Sequence, residues 1–361
     1  MASPNRLTHY ERMEATLNKM TPNPATFNTI YSLEEIRADQ KLLQAVKSTP
    51  DYRIKGERAD DKVLEVTFTT MVEAGDWFLE EERFTENENY SSLKTFPTAE
   101  IDDVFNHIDL VGMIQNDDTE GEVIPFAIDL TYCSVHEGMN KKLSWEHGYG
   151  KPGNTDKSQS EFGTIAMKKK PNGEQYVRTY SLPESQRDGL KIPGFASAKY
   201  FEDTDNPWMP MHKKGRIPVM PRFVVGYSPD LADVLAQGSP TNEYYEKYGE
   251  REYLKKRKAY LTAEKRAKWC TLIECAEQAE QISQMVEKLP ESMTQIMNTK
   301  ELAEAKKQIA AMRKYFTGAL EAARREAENN ESERDAMNYA YGDKIRKVIS
   351  SESEVVYNRS L

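Results

Sequence analysis

At 361 residues the chain is long enough for a sizeable core and too long for one ordinary domain, and 38% hydrophobic residues with 19 Tyr, 12 Phe and 4 Trp exclude a disordered chain. No run nears the roughly 20 apolar residues that a membrane-spanning helix needs, and the first residues hold no apolar signal-peptide core, so a cytoplasmic protein with no membrane partner is expected. The net charge of −10 is uneven: residues 241–361 carry 22 Lys and Arg against 21 Asp and Glu, leaving eleven excess negative charges in residues 1–240, so any nucleic acid must meet a local basic patch.

The three cysteines, Cys133, Cys270 and Cys275, are few and odd in number, which predicts thiols rather than a disulfide framework. Residues 1–60 read as a helical extension, with helical patterns at Leu7–Met20 and Ser32–Val46 separated by Pro22 and Pro24. Ser32 followed by Glu35 fits a capping box. Residues 61–240 read as an α/β core. Its first part, Lys62–Glu82, is mainly helical in pattern, although the run Val66-Thr67-Phe68-Thr69-Thr70 is also strand-compatible.

Two apolar runs of strand length follow, His107–Ile114 and Val123–Tyr132, joined by Asn116-Asp117-Asp118-Thr119-Glu120-Gly121, so an antiparallel hairpin is predicted. Shorter strands are expected at Gly163–Met167 and Gln175–Tyr180, and a strong one at Arg222–Tyr227, which runs through Ser228 as N-cap and Pro229 as first helical residue into a helix ending at Ala236. Residues 241–361 read as a helical hairpin or coiled-coil arm. One seam runs Leu272, Cys275, Ala279, Ile282, Val286, Leu289 to the stop at Pro290; the other runs Leu302, Ala305, Ile309, Met312, Phe316, Ala319, Ala323. The economical partner for each seam is the other, although self-association or a protein partner through these helices is the alternative. From Glu326 the chain is polar, with a short helix expected at Tyr341–Ile349.

The hairpin carries the candidate chemistry. Asp109 lies in the first strand and Asp129 near the end of the second, and carboxylates are disfavoured in apolar strands unless something compensates them. Projecting from neighbouring strands, they have the spacing that a hard divalent cation needs for two oxygen ligands. A third carboxylate is expected from the upstream helix, with Glu73 the first choice and Glu65 and Glu80 the alternatives. A zinc site built on Cys133, His136, His147 and His212 lacks the paired ligand spacing, and His136-Glu137-Gly138-Met139-Asn140 has Asn where a zincin helix needs its second His.

The order of elements over Lys62–Ala236, helix, hairpin, helix, strand, with an Asp on each hairpin strand, resembles the PD-(D/E)XK nuclease superfamily of restriction-endonuclease-like folds. The resemblance implies a mixed sheet flanked by helices and Mg²⁺, or Mn²⁺, held by Asp109, Asp129 and the upstream glutamate. It implies metal-dependent hydrolysis of phosphodiester bonds, in DNA in preference to RNA. The sequence departs from the family at the motif lysine, where it has Thr131; a lysine supplied from the next helix, Lys141 or Lys142, would restore the missing charge. The other function that this pattern permits is a binding or scaffold protein that keeps the fold without the chemistry and acts through its helical arm. Candidate phosphate-contact patches are Lys168-Lys169-Lys170, Lys213-Lys214 with Arg216, and Lys247–Lys268, where nine basic residues face three acidic ones among interleaved tyrosines; plain surface lysines and a solvated charged helix are the commoner reading of such runs.

Overall fold

The computed structural model of the chain describes residues 20–47, 65, 67–69, 93–106, 108–116, 122–131, 164–169, 175–181, 194–203, 214–289 and 299–359. After a 3-10 turn at Pro24–Phe27, helix α1 runs Leu33–Lys47 and opens with the capping box expected of it: the Ser32 backbone N–H donates to Glu35 Oε2 at 2.9 Å and the Glu35 N–H donates back to Ser32 Oγ at 3.2 Å. Residues 65 and 67–69 are helical, in keeping with the helical reading of Lys62–Glu82. Strand β1, Leu93–Pro97, and the short helix α2, Glu100–Asn106, come next. The hairpin strands are β2, Leu110–Asn116, and β3, Glu122–Thr131, followed by β4, Thr164–Lys169, β5, Gln175–Ser181, β6, Phe195–Glu202, and β7, Lys214–Gly226. The helices that close the chain are α3, Pro229–Ala236, α4, Asn242–Glu287, α5, Thr299–Asn329, α6, Glu331–Gly342, and α7, Lys344–Arg359.

The fold is mixed α/β. Five strands form one sheet in the order β1-β2-β3-β7-β6, and β4 pairs with β5 apart from it. β1, β2 and β3 are an antiparallel meander, β7 joins β3 in parallel, and β6 pairs antiparallel with the first part of β7. Because β6 begins at Phe195 opposite Pro221, residues 222–226 of β7 have β3 on one side and, among the described residues, no strand on the other. Helix α4 fills that edge with side chains. Gln278 bridges Val224, its amide donating to the carbonyl at 2.7 Å and its oxygen accepting from the N–H at 3.0 Å, and Glu274 accepts from Gly226 N at 3.0 Å. An exposed edge would otherwise leave those backbone groups open to water or to another chain.

The register separates the two faces of the sheet. Phe126 and Phe223 stand on one, where the ring of Phe316 from α5 meets both edge-on at 5.6 and 5.2 Å. Gly226, opposite Thr131, stands on the other, where α7 comes so close that an added Cβ would lie 2.3 Å from Ile349 Cδ1 and 2.9 Å from Ile345 Cγ2. α5 packs back along α4 in the intramolecular hairpin read from the two seams, and Leu272, Ala279, Ile282, Ile309, Met312 and Phe316 are buried in one apolar cluster continuous with Phe126, Ile128 and Phe223 of the sheet. Cys270 and Cys275 are free and buried within it, and Cys133 lies outside the described residues.

Two local expectations change in detail. Ser228 precedes α3 but its hydroxyl makes no cap; it pairs with the Tyr339 hydroxyl at 3.0 Å instead. The polar tail is two helices, α6 and α7, each started by a side chain: Asn330 accepts from Ser332 N at 3.1 Å, and Asp343 accepts from Ile345 N and Arg346 N at 2.9 and 3.0 Å.

Candidate metal centre

The end of the sheet where β3 and β7 finish is where β2 begins. Leu110 pairs with Ile128, so Asp109, one residue earlier, stands opposite Asp129, which in turn pairs with Val224 of β7. Asp109 keeps the backbone bonds of a strand residue: its N–H donates to Ile128 O at 3.0 Å and its carbonyl accepts from Thr98 N at 3.2 Å. The Thr98 hydroxyl donates to the Ile108 carbonyl as well. Its carboxylate is then fixed by a charge-assisted bond, Oδ2 accepting from Leu130 N at 2.6 Å. The aspartate is thus held at both main chain and side chain before any ligand arrives.

Helix α2 follows β1 after two residues, Thr98 and Ala99, and its first turn is acidic, with Glu100, Asp102 and Asp103, the charge that the positive end of a helix favours. Consecutive residues on a helix point about 100° apart. Asp102 turns to β6, accepting from Lys199 N at 2.8 Å, Tyr200 N at 2.9 Å and Asn106 Nδ2 at 2.8 Å. Asp103 turns to Asp109. The third acid comes from upstream, where Glu65 is buried in the helical stretch anchored by Phe68; the Thr69 hydroxyl donates to the Glu65 carbonyl one turn back at 3.0 Å.

Glu65, Asp103 and Asp109 each offer a carboxylate oxygen within 4.8 Å of the others. Oxygens on opposite sides of a hard cation lie about 4.2 Å apart for Mg²⁺ and about 4.8 Å for Ca²⁺, so the set has the span that one such ion bridges. All donors are carboxylate oxygens, the chemistry that Mg²⁺, Mn²⁺ and Ca²⁺ select over softer metals. Each ionised pair at that distance repels by on the order of 3 kcal/mol at an effective dielectric near 20, before solvent screening. A divalent cation reverses the sign of that energy.

Of the residues expected from the sequence, Asp109 and Glu65 are brought together here. Asp129 is buried beside Asp109 across the hairpin, and on its face the register sets Arg222 diagonally from it, two residues before Val224. Thr131 is buried on the same face, its methyl 3.3 Å from where a Cβ on Gly226 would lie, beside Ile345 and Ile349. Glu73, Glu80, Lys141 and Lys142 lie outside the described residues, as do Lys170, Lys213, His136, His147 and His212. Lys214 is paired with Glu202 at 2.9 Å. Asp103 was not foreseen. The signal available for it was the acidic run Glu100–Asp103 directly ahead of an apolar strand, which reads as the first turn of a short helix. No family model, curated protein or solved structure matches the chain.

Proposed function

We propose that this chain is a metal-dependent nuclease-like protein that hydrolyses phosphodiester bonds of DNA, with Glu65, Asp103 and Asp109 as the ligands of Mg²⁺ or Mn²⁺ and Asp129 beside them. The observation that carries the reading is the convergence of the three acids within 4.8 Å at the mouth of β2, in a sheet whose meander β1-β2-β3 is joined in parallel by β7. A bound cation there lowers the pKa of a coordinated water and neutralises charge on the phosphoryl oxygens. The chain's own part is positional. The Leu130 N–H holds the Asp109 carboxylate, Phe68 seats the helical turn of Glu65, and the bonds of Asp102 to β6 fix the rotation of α2, so Asp103 has little freedom to swing away. In this reading Lys141 or Lys142 supplies the positive charge that the threonine at position 131 lacks.

The test is cleavage of supercoiled and linear DNA by the full chain with Mg²⁺, with Mn²⁺ and with EDTA. Cleavage with either metal, abolished by EDTA and by Asp109→Asn, is the expected result; cleavage that persists in Asp109→Asn overturns the assignment. The second reading, a nuclease-fold scaffold without catalysis, is favoured by one observation: Thr131 packs by its methyl in an apolar neighbourhood under α7, where a lysine ammonium would be costly to seat. It predicts a chain that binds metal yet cleaves nothing.

A further inference from the structure

Helix α4 is buried only over its second half. None of residues 241–262 is buried, whereas Ala263, Ala267, Trp269 and Cys270 begin the packed part. At residues 265–269 the cover is the α5/α6 junction: Lys265 pairs with Glu333 at 2.8 Å and the Trp269 indole N–H donates to Glu333 Oε2 at 3.0 Å. On the same side of the helix further out, Arg251, Leu254, Lys258 and Leu261 follow at intervals of three and four, with Leu254 52% and Leu261 46% exposed. Residues 251–262 hold five basic side chains, Arg251, Lys255, Lys256, Arg257 and Lys258, against Glu252 alone, in a chain of net charge −10.

The tip is aromatic. Gly249 leaves the helical path with φ +80°, a conformation that L side chains rarely adopt, and nothing lies within 4 Å of where its Cβ would be. The turn brings residues 242–248 back along the helix, so that Tyr244 sits 4.7 Å from Lys256 Nζ, Tyr245 meets Tyr253 edge-on at 5.6 Å, and Tyr244 and Tyr248 lie 4.6 Å apart. Tyr245 and Tyr248 remain 46% and 44% exposed.

The direction of the arm links it to the acidic site. Gln278 faces Val224 and Glu274 faces Gly226, so α4 runs antiparallel to β7 and leaves the sheet at the end that bears Asp109 and Asp129. At about 1.5 Å per residue, Lys258 lies about 24 Å beyond Gly226, the length of about seven nucleotide steps.

We propose that residues 244–261 of α4 are a nucleic-acid-binding arm, whose basic face tracks a phosphate backbone and whose tyrosines stack on bases, holding the strand that reaches the carboxylate end of the sheet. Charge complementarity favours this occupant over a second copy of the chain, since two such faces would set Arg251 and Lys258 against like charge. Aromatic rings interleaved with cations are the chemistry that single strands meet. The substrate class rests on the proposed function, but binding by the arm does not need the metal.

The experiment is fluorescence anisotropy of a labelled DNA strand, single-stranded and duplex, with the full chain in EDTA over a series of salt concentrations. The variant Arg251→Gln/Arg257→Gln/Lys258→Gln changes only exposed side chains, and circular dichroism checks that its helicity is kept. Expected are binding at least about tenfold weaker than wild type and a log–log salt slope shallower by about 2 to 3, one unit for each lost phosphate contact. Tyr245→Ala/Tyr248→Ala is expected to weaken single-strand binding with the salt slope unchanged. Unaltered affinity and slope in the arginine/lysine variant overturn the proposal, as does displacement of the strand by poly-glutamate at equal charge concentration, which marks an acidic protein partner. Asp109→Asn serves as the control. If it keeps full binding while the arm variant loses it, the arm stands whether or not cleavage is ever seen, and metal-dependent cleavage that survives in the arm variant with unchanged binding removes the arm and leaves the metal site.

Discussion

Beneath β6, Asp39 and Asp102 are each enclosed by donors. Lys199 Nζ and the Tyr200 hydroxyl both reach Asp39 Oδ2 at 2.7 Å, and two backbone N–H groups with Asn106 serve Asp102. At the mouth of β2, by contrast, Glu65, Asp103 and Asp109 are drawn within 4.8 Å of one another, acid against acid. The first arrangement ties α1 and α2 to the sheet and is complete within the chain. The second sets carboxylates from three elements against one another, with the span and the all-oxygen donor set of a divalent-cation site. Asp102 and Asp103, adjacent on one short helix, fall on opposite sides of that division.

The largest effect is expected at the enclosed acids. Asp39→Ala leaves Lys199, 2% exposed in its side chain, buried without its carboxylate, and a loss of about 3–5 kcal/mol in urea denaturation is expected. Asp39→Ala/Lys199→Met is expected to recover much of it. Equal stability of the single variant and wild type would show that the network is not structural.

The titration of Asp102 gives the next largest effect. Burial, with the nearby charge of Asp39, pushes Asp102 up from 3.8 to about 6, against the three hydrogen bonds that favour its anion. The folded state therefore holds this proton more tightly than the unfolded chain: the stability it contributes is fully present below about pH 4 and is lost as pH rises through about 6, an effect on the order of 3 kcal/mol. Denaturation at stepped pH should show wild type losing stability relative to Asp102→Asn between pH 4 and 7. A constant difference across that window contradicts the assignment.

The smallest effect has the opposite sign. Asp103→Asn removes one like charge from the triad and is expected to raise the stability of the metal-free protein by up to about 1 kcal/mol after solvent screening, while weakening its response to added Mg²⁺. Destabilisation with the metal response intact would place Asp103 among the structural acids.

The parts of this fold legible in the sequence are those where one face decides the pattern. The hairpin strands, the seams of α4 and α5 and the capping box of α1 all follow from apolar periodicity or local capping. Only the last part of β7, from Arg222, was legible, and its first part holds two prolines, Pro218 and Pro221, which are unfavourable within a strand. Pro218 is exposed where β6 and β7 slip in register, and Arg222 N bonds Gly194 O at 2.8 Å just past Pro221, so the strand absorbs both. Strand β6 was missed because Ala196, Ser197, Ala198 and Lys199 are weak strand formers, and its buried lysine makes sense only with Asp39 from a distant helix. α6 was hidden by polarity and α7 was legible only in its first part, as the short helix at Tyr341–Ile349, since they pack through Ala336, Ala340, Ile349 and Tyr357 while Arg346 pairs with Glu277 at 3.0 Å. At the site, the sequence offered Asp109 with Glu65 as one of three upstream choices. Asp103 depended on where a seven-residue helix would lie, which no local pattern specifies.

Calorimetric titration of the full chain with Mn²⁺ and with Mg²⁺, on wild type, Asp103→Asn and Asp109→Asn, tests whether Glu65, Asp103 and Asp109 form a cation site. A saturable site is expected in wild type, and both substitutions are expected to abolish it or weaken it by at least about tenfold, since each removes a charged oxygen from the set. Binding that is absent from wild type, or identical in all the proteins, contradicts it.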